Sequence, residues 1–314
     1  MREPIFLCGP TASGKTALAV ELALRLDGEV VSADSMQIYR HMQIGTAAPT
    51  EEEQRGIVHH MIGVVDPWET FSVERYRSMA LPVIRDIQFR GKCPIVAGGT
   101  GLYFDALMQG DGYAPVETDL QYRTELNDLA AREGNQAVHD LLAASDPETA
   151  ARLHPNNLKR VIRALEVLRL TGRSISEHDR ETQKLASPFA PVKLGITIEP
   201  RERLYARIDL RVDRMLETGL LWEAESLQKL GVPADATAMQ AIGYKELIPV
   251  LRGEATLTDA VALIKQRSRN YAKRQLTWFR RDTAIRWYSP SAADTAADLA
   301  ERILRDIKIE QTEA

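Results

Sequence analysis

The sequence predicts an α/β fold, a parallel sheet covered by helices, carrying a mainly helical insertion. Three observations predict it: short apolar runs alternate with stretches of helical periodicity, a glycine-rich loop joins the first run to the first helix, and strand-like runs stop between residues 112 and 190 before one returns. Ile5-Phe6-Leu7-Cys8 reads as the first strand, and Leu18, Ala19, Leu22, Ala23 and Leu26 recur at helical spacing behind the loop. Val30-Val31-Ser32 reads as a second strand, Met61 to Val65 as a third and Pro94-Ile95-Val96-Ala97 as a fourth. GDGYAP, from Gly110 to Pro115, is turn chemistry. Beyond it the pattern is helical to about Leu185, with an apolar stripe of Leu158, Val161, Ile162, Leu165 and Leu168. Val192 to Ile198 resumes the sheet after Pro188 and Pro191, and Arg201 to about Ile309 reads as helical. The expected division is a discontinuous core, 1–111 with 191–314 and its C-terminal helices, around an insertion at 112–190.

The segment Gly9-Pro10-Thr11-Ala12-Ser13-Gly14-Lys15-Thr16 matches G-x-x-x-x-G-K-[ST] between a strand and a helix, the setting that motif requires, so the core is expected to be P-loop NTPase-like. Its backbone N–H groups, the helix N-terminus and Lys15 attract phosphate oxygens, and Thr16 is placed to ligate Mg2+. Phosphate binding alone does not say which bond breaks. Asp34 follows the second strand at the carboxyl edge of the sheet, where it is either a ligand-facing acid or a turn residue, and Asp66 before Pro67 reads as a turn. Gly98-Gly99-Thr100-Gly101 is either a plain strand-to-helix turn or a close backbone approach with a threonine donor beside it. Arg203, Arg207, Arg211 and Arg214 share one helix face, with Asp209, Asp213 and Glu217 on an adjacent strip, which by itself reads as a solvated, salt-bridged helix.

A chain of 314 residues, 44% hydrophobic and 27% charged, has room for one large core and a smaller second domain. Its net charge of -4 offers no general field for a polyanion, so any nucleic-acid binding must be local. Lys265 to Arg281 holds seven basic residues and no acidic one, interleaved with Tyr271, Trp278 and Phe279. Such a strip suits phosphate backbones and unstacked bases, or is a solvated helix whose aromatics face the core. Two cysteines, Cys8 and Cys93, give neither a disulfide framework nor a zinc set. No run approaches membrane-spanning length, so no membrane partner is expected and the cytoplasm is the expected compartment.

Taken together, GPTASGKT, ADSMQIY (Ala33 to Tyr39), IGTAAP (Ile44 to Pro49), AGGTGLY (Ala97 to Tyr103), HPNNLKRVIRALEV, AIGYKE (Ala241 to Glu246) and KRQLTWFR (Lys273 to Arg280) resemble the bacterial tRNA dimethylallyltransferases, in order, from about residue 5 to 290. The resemblance implies transfer of a dimethylallyl group from dimethylallyl diphosphate to N6 of the adenosine 3′ to the anticodon of tRNA, with Mg2+ as cofactor and a monomer as the working unit. It makes Asp34 the general base. It also implies that Lys15, Thr100 and one of Arg207 and Arg211, with Arg207 slightly preferred, stabilise the leaving diphosphate. The implied tRNA contacts are Asp34, Ser35, Met36 and Gln37; Thr100 and Arg123; Leu158, Lys159, Arg160, Val161 and Ile162; Met239, Gln240, Ala241, Ile242, Gly243 and Tyr244; and Lys273, Arg274, Gln275, Leu276, Thr277, Trp278, Phe279 and Arg280.

Two other classes fit part of the pattern. A small-molecule or nucleoside kinase would use the same loop for ATP and Asp34 for a hydroxyl acceptor, but leaves the basic strip without a role. An RNA-binding P-loop module without covalent chemistry leaves Asp34 beside Thr100 without one.

Overall fold

The structure, a computed structural model, describes residues 2–110, 118–177, 180 and 186–313, with backbone alone from 308 onward. It falls into two compact units, Met1–Leu107 with Phe189–Ala314, and Met108–Pro188. The GDGYAP turn beyond Gly110 and the helix end expected near Leu185 lie outside the described residues.

In the first unit, β1 (Ile5–Cys8), β2 (Gly28–Ala33), β3 (His59–His60), β4 (Cys93–Gly98), β5 (Val192–Ile196) and β6 (Arg286–Tyr288) form one sheet in the order β3-β2-β4-β1-β5-β6. Every neighbouring pair is parallel. Both β1 and β2 are buried along their whole length, which is why they read as apolar runs without alternation. One face is covered by α1 (Lys15–Leu26), through Leu18, Ala19, Leu22 and Ala23, and by α13 (Ala296–Glu313), through Leu299, Ala300 and Ile303. The short α2 (Glu51–Gln54) starts in a capping box on Thr50, and α3 (Val73–Phe89) and α4 (Gly101–Leu107) complete the N-terminal part. Because β2, β4 and β1 are adjacent, the loops that leave their carboxyl ends, at Asp34, Gly99 and Gly9, converge on one edge.

The C-terminal helices α9 (Arg201–Glu217), α10 (Leu220–Lys229), α11 (Tyr244–Leu251) and α12 (Leu257–Phe279) build a separate core around Val212, Leu220, Leu227, Met239, Tyr244, Leu247 and Ile264. The second unit holds α5 (Leu120–Glu133), α6 (Asn135–Ser145), α7 (Pro147–Arg152) and α8 (Leu158–Thr171) around Leu126, Val138, Leu142, Val161 and Leu165.

Two strand expectations are corrected. The third strand is His59–His60 rather than Met61 to Val65, because Met61 and Gly63 take positive φ (62° and 59°) and turn the chain out of the sheet. The segment from Arg201 is not helical throughout: Arg286–Tyr288 adds an edge strand to β5, too short to show alternation in the sequence. Among the described residues no helix is long and apolar enough to cross a membrane.

Candidate active site

The phosphate loop is held from both sides. Gly9 lies so close to β5 that a Cβ there would stand 2.4 Å from the Ile196 carbonyl oxygen, which excludes any larger residue. The Arg207 guanidinium on α9 donates from Nε to the Ala12 carbonyl at 2.8 Å, bracing a residue with φ of 61°. From α12, Gln275 accepts the Thr11 N–H at 2.8 Å and donates to the Gly99 carbonyl at 3.0 Å, so one buried amide ties the loop after β1 to the loop after β4. Within the loop the Lys15 ammonium donates to the Pro10 carbonyl at 2.6 Å. Burial, and then the nearby Arg211, lower the Lys15 pKa to about 8, against an opposing pull from Asp34.

Asp34 combines a turn role with a place on the cavity wall. Its Oδ1 accepts the Met36 N–H at 2.9 Å, closing a turn, while the residue lines the same cavity as Lys15 and Thr16. The neighbouring Ser35 N–H donates to the Thr100 hydroxyl at 3.0 Å, and the Thr100 N–H donates to the Ala33 carbonyl at 3.1 Å. Thr100 thus pins the turn carrying Asp34 from behind. Gln37 is fixed as well, accepting from Ser32 Oγ at 2.8 Å and donating to the Thr46 and Ala47 carbonyls.

The cavity has a volume of about 320 Å³ and is lined by both polar and apolar side chains. Thr11, Lys15, Thr16, Asp34, Arg211 and Arg274 supply the polar groups; Ile208, Val212, Met215, Ala241, Ile242 and Ile264 supply the apolar wall. Tyr271 lines it too, its hydroxyl pushed up to about 12 by burial and then by Asp34, so it stays a donor at neutral pH. Of the two candidate arginines, Arg211 lines the cavity and its buried Nε has no hydrogen-bond partner, whereas Arg207 gives its Nε to the loop backbone and holds a terminal nitrogen close to Gly14. The bland reading of this helix face therefore fails for both.

The expected RNA contacts divide by exposure. Lys159, Arg160, Lys273, Arg274, Thr277 and Arg280 are exposed, and Ser35, Met36, Gln37, Gln240, Ile242 and Gly243 line the cavity. Leu158, Leu276 and Trp278 are half-buried. By contrast the side chains of Val161, Ile162, Met239, Ala241, Tyr244, Gln275 and Phe279 are at least nine-tenths buried, and of these Ala241 and Gln275 border the cavity. Phe279 packs edge-on against Phe104, with ring centroids 5.5 Å apart. Arg123 forms a bidentate pair, both bonds 2.7 Å, with Glu166, a carboxylate of zero exposure that also binds Arg163. Burial pushes Glu166 up, yet the two guanidiniums outweigh it and hold its carboxyl below the ordinary value.

Glu223 went unnoticed in the sequence. Its buried carboxylate accepts the N–H groups of Gln43, Ile44 and Gly45 at 2.8, 2.8 and 3.0 Å and the Tyr244 hydroxyl at 2.6 Å, fixing the IGTAAP loop to α10 and α11. Among the described residues no group of three His, Cys, Asp or Glu could hold a metal alone. Magnesium does not require one, since it takes one or two protein oxygens and completes its shell with phosphate and water. The Thr16 hydroxyl on the polar cavity wall fits that requirement.

A parallel α/β core with a gripped phosphate loop, an acid two strands away and an apolar recess defines a P-loop phosphate-ester enzyme rather than a mere nucleotide switch. Similarity makes the class specific: the family described as IPP transferase matches residues 37–282 and that described as isopentenyl transferase matches residues 4–62. The chain is 46% identical over 308 residues to the tRNA dimethylallyltransferase of Acetivibrio thermocellus, covering 98% of this chain and 97% of the relative. It also resembles the solved tRNA isopentenylpyrophosphate transferase of Bacillus halodurans (42% identity, TM-score 0.72, 99% of both chains). A eukaryotic dimethylallyltransferase seen in crystallographic snapshots acting on tRNA is similar as well (31% identity, TM-score 0.81, 99% of this chain and 80% of that one). The chain belongs to the IPP transferase family.

Proposed function

We propose that this enzyme transfers the dimethylallyl group of dimethylallyl diphosphate to N6 of the adenosine 3′ to the anticodon of tRNA, releasing diphosphate. The observation that carries the proposal is a single cavity lined by a phosphate grip (Lys15, Thr16), a carboxylate (Asp34) and an apolar wall (Val212, Met215, Ile264). A kinase acting on a polar acceptor has no use for that wall.

The loop N–H groups, Lys15 and Arg211 hold the diphosphate and stabilise the charge that grows on it as the allylic C–O bond breaks. The adenine N6 forms the new C–N bond, and its proton passes to the Asp34 oxygen not engaged by Met36. Mg2+, with Thr16 as its protein ligand, adds Lewis-acid neutralisation of the leaving diphosphate when bound. Thr100 and Arg207 act one layer back, on the turn of Asp34 and on the loop. The adenosine leaves its stack to reach the cavity, and exposed Lys159, Arg160, Lys273 and Arg280 meet the RNA backbone. Work as a monomer in the cytoplasm belongs to the same proposal.

The test offers anticodon stem-loop RNA with either dimethylallyl diphosphate or ATP and follows the mass of the adenosine recovered. Gain of a dimethylallyl group supports the proposal; phosphorylation from ATP without it would replace it with the kinase.

A further inference from the structure

Helices α9 and α12 line the cavity from opposite directions in a fixed register. Asp209 pairs with Arg269 at 2.5 Å, Asp213 pairs with Lys265 at 2.6 Å, and the Lys273 ammonium stands 5.9 Å from the Tyr205 ring centroid. Each advance of four residues along α9 is thus matched by a retreat of four along α12. That register ranks the lining residues by depth. At the level of Arg207 and Ile208, α12 presents Tyr271, and just beyond it Gln275 holds Thr11 of the phosphate loop. At the level of Met215, α12 presents Ile264. The polar end and the apolar end of the cavity are therefore separated along the helix axes.

The separation has a length. Arg211, which lines the polar end, precedes Met215 by four residues, about 6 Å of helix rise. A dimethylallyl group is branched, so its longest path runs over three carbon–carbon bonds of about 1.5 Å each, which after foreshortening by the bond angles reaches roughly 4 Å. With the diphosphate beside Lys15 and Arg211, the van der Waals edge of the tail, about 2 Å further on, comes to the level at which α9 carries Met215 and α12 carries Ile264. Ile264 is rigidly placed, 2% exposed and packed with Val212 and Leu220, whereas Met215 is half-buried.

We infer that Met215 and Ile264 close the tail end of the donor site and restrict the enzyme to five-carbon allylic diphosphates, excluding the ten-carbon chain. This inference rests on the donor proposed above. The bonds made and broken are the same for either donor: the C–O bond to diphosphate is replaced by the bond to N6, and the proton goes to Asp34. Only the space beyond the fifth carbon differs. Met215→Ala removes every side-chain atom beyond Cβ at that point, and Ile264→Val removes one methyl from the facing wall.

The experiment supplies full-length enzyme and anticodon stem-loop RNA with equal concentrations of dimethylallyl and geranyl diphosphate, and reads both products by mass. Wild type is expected to make the five-carbon product almost alone. Met215→Ala is expected to raise the ratio of ten- to five-carbon product at least tenfold, Ile264→Val by a smaller factor, and the double variant by more than either. An unchanged ratio in variants that still transfer the dimethylallyl group would overturn the inference while leaving the proposed reaction intact. Failure of wild type to transfer either group would remove the proposed reaction and this inference with it.

Discussion

Lys265 on α12 sets its ammonium 2.6 Å from the carboxylate of Asp213 on α9. The same arrangement recurs one turn on, where Arg269 meets Asp209, and Arg267 is paired with the fully buried carboxylate of Glu246 at 2.6 Å. Three of the seven basic residues that make Lys265 to Arg281 look like a polyanion-binding strip are therefore occupied in packing the helices that wall the cavity. The strip divides into a structural half and an open half, and the division is testable.

Asp34→Asn is expected to lower turnover by about 10² to 10⁴, the usual contribution of a general base. The fold should be untouched, because an asparagine oxygen can still accept the Met36 N–H that closes the turn. Single-turnover rates and RNA and diphosphate affinities on the same variant check this. Near-normal turnover would remove Asp34 from the mechanism.

The Lys15 ammonium is costly to hold in place. Its folded pKa of about 8 lies below the ordinary value of 10.5, so between those limits the unfolded chain keeps a proton that the folded chain releases. Stability contributed by this group consequently rises with pH across that window, and the burden is full below about pH 8. Lys15→Met should raise the melting temperature at neutral pH while lowering kcat/KM by at least about 100-fold through lost transition-state charge stabilisation. In wild type, diphosphate affinity should weaken as pH rises past about 8. Calorimetry and donor binding against pH are the measurements.

The two arginines should separate kinetically. Arg211→Ala removes a cation from the cavity wall and is expected to cost about 10² to 10³ in kcat. Arg207→Ala releases the Ala12 carbonyl and loosens the loop, so the donor KM should rise more than kcat falls. The opposite pattern would exchange their roles.

Glu223→Gln should destabilise the protein by about 1.5–3 kcal/mol, the worth of hydrogen bonds to a buried charge, because an amide nitrogen then faces backbone donors that need an acceptor. Urea unfolding of the variant measures it.

The local half of this site was legible in the sequence and the assembled half was not. Gly9 to Thr16 and Asp34 are short-range patterns whose chemistry follows from a strand, a turn and a helix. The partners that hold them come from far along the chain: Gln275 meets Thr11 across 264 residues, and Glu223 meets Gln43 across 180. A glutamate in a helical stretch carries no mark of the loop it will bind. The apolar wall was readable in principle, since Ile208, Val212 and Met215 recur at helical spacing around Arg211, but the arginines on that helix drew attention to its charge. In the sequence apolar Met61 to Val65 outweighs His59-His60, because the pairing of those histidines to Val30 and Val31 depends on the sheet already being formed.

The open half of the basic strip should carry the salt dependence of RNA binding. Lys273 and Arg280 are exposed, and neither is in an ion pair with an acidic residue among the described residues, whereas Lys265 and Arg269 have carboxylate partners. Each phosphate contact releases condensed counterions, worth about 0.7–0.9 in the slope of log affinity against log salt. Lys273→Ala with Arg280→Ala should therefore flatten that slope by roughly one and a half units and weaken binding alike for all tRNAs, with adenosine selectivity intact because it resides in the cavity. Lys265→Ala with Arg269→Ala should leave the slope unchanged and act on stability, since their charges are already neutralised within the protein. Arg274 belongs in neither pair, because it lines the cavity and its loss would mix RNA affinity with chemistry. Titration of RNA binding from low to physiological salt, beside a melting curve for each variant, distinguishes the two pairs. Equal slopes for wild type and the Lys273, Arg280 variant would move the RNA backbone off α12 and onto Lys159 and Arg160.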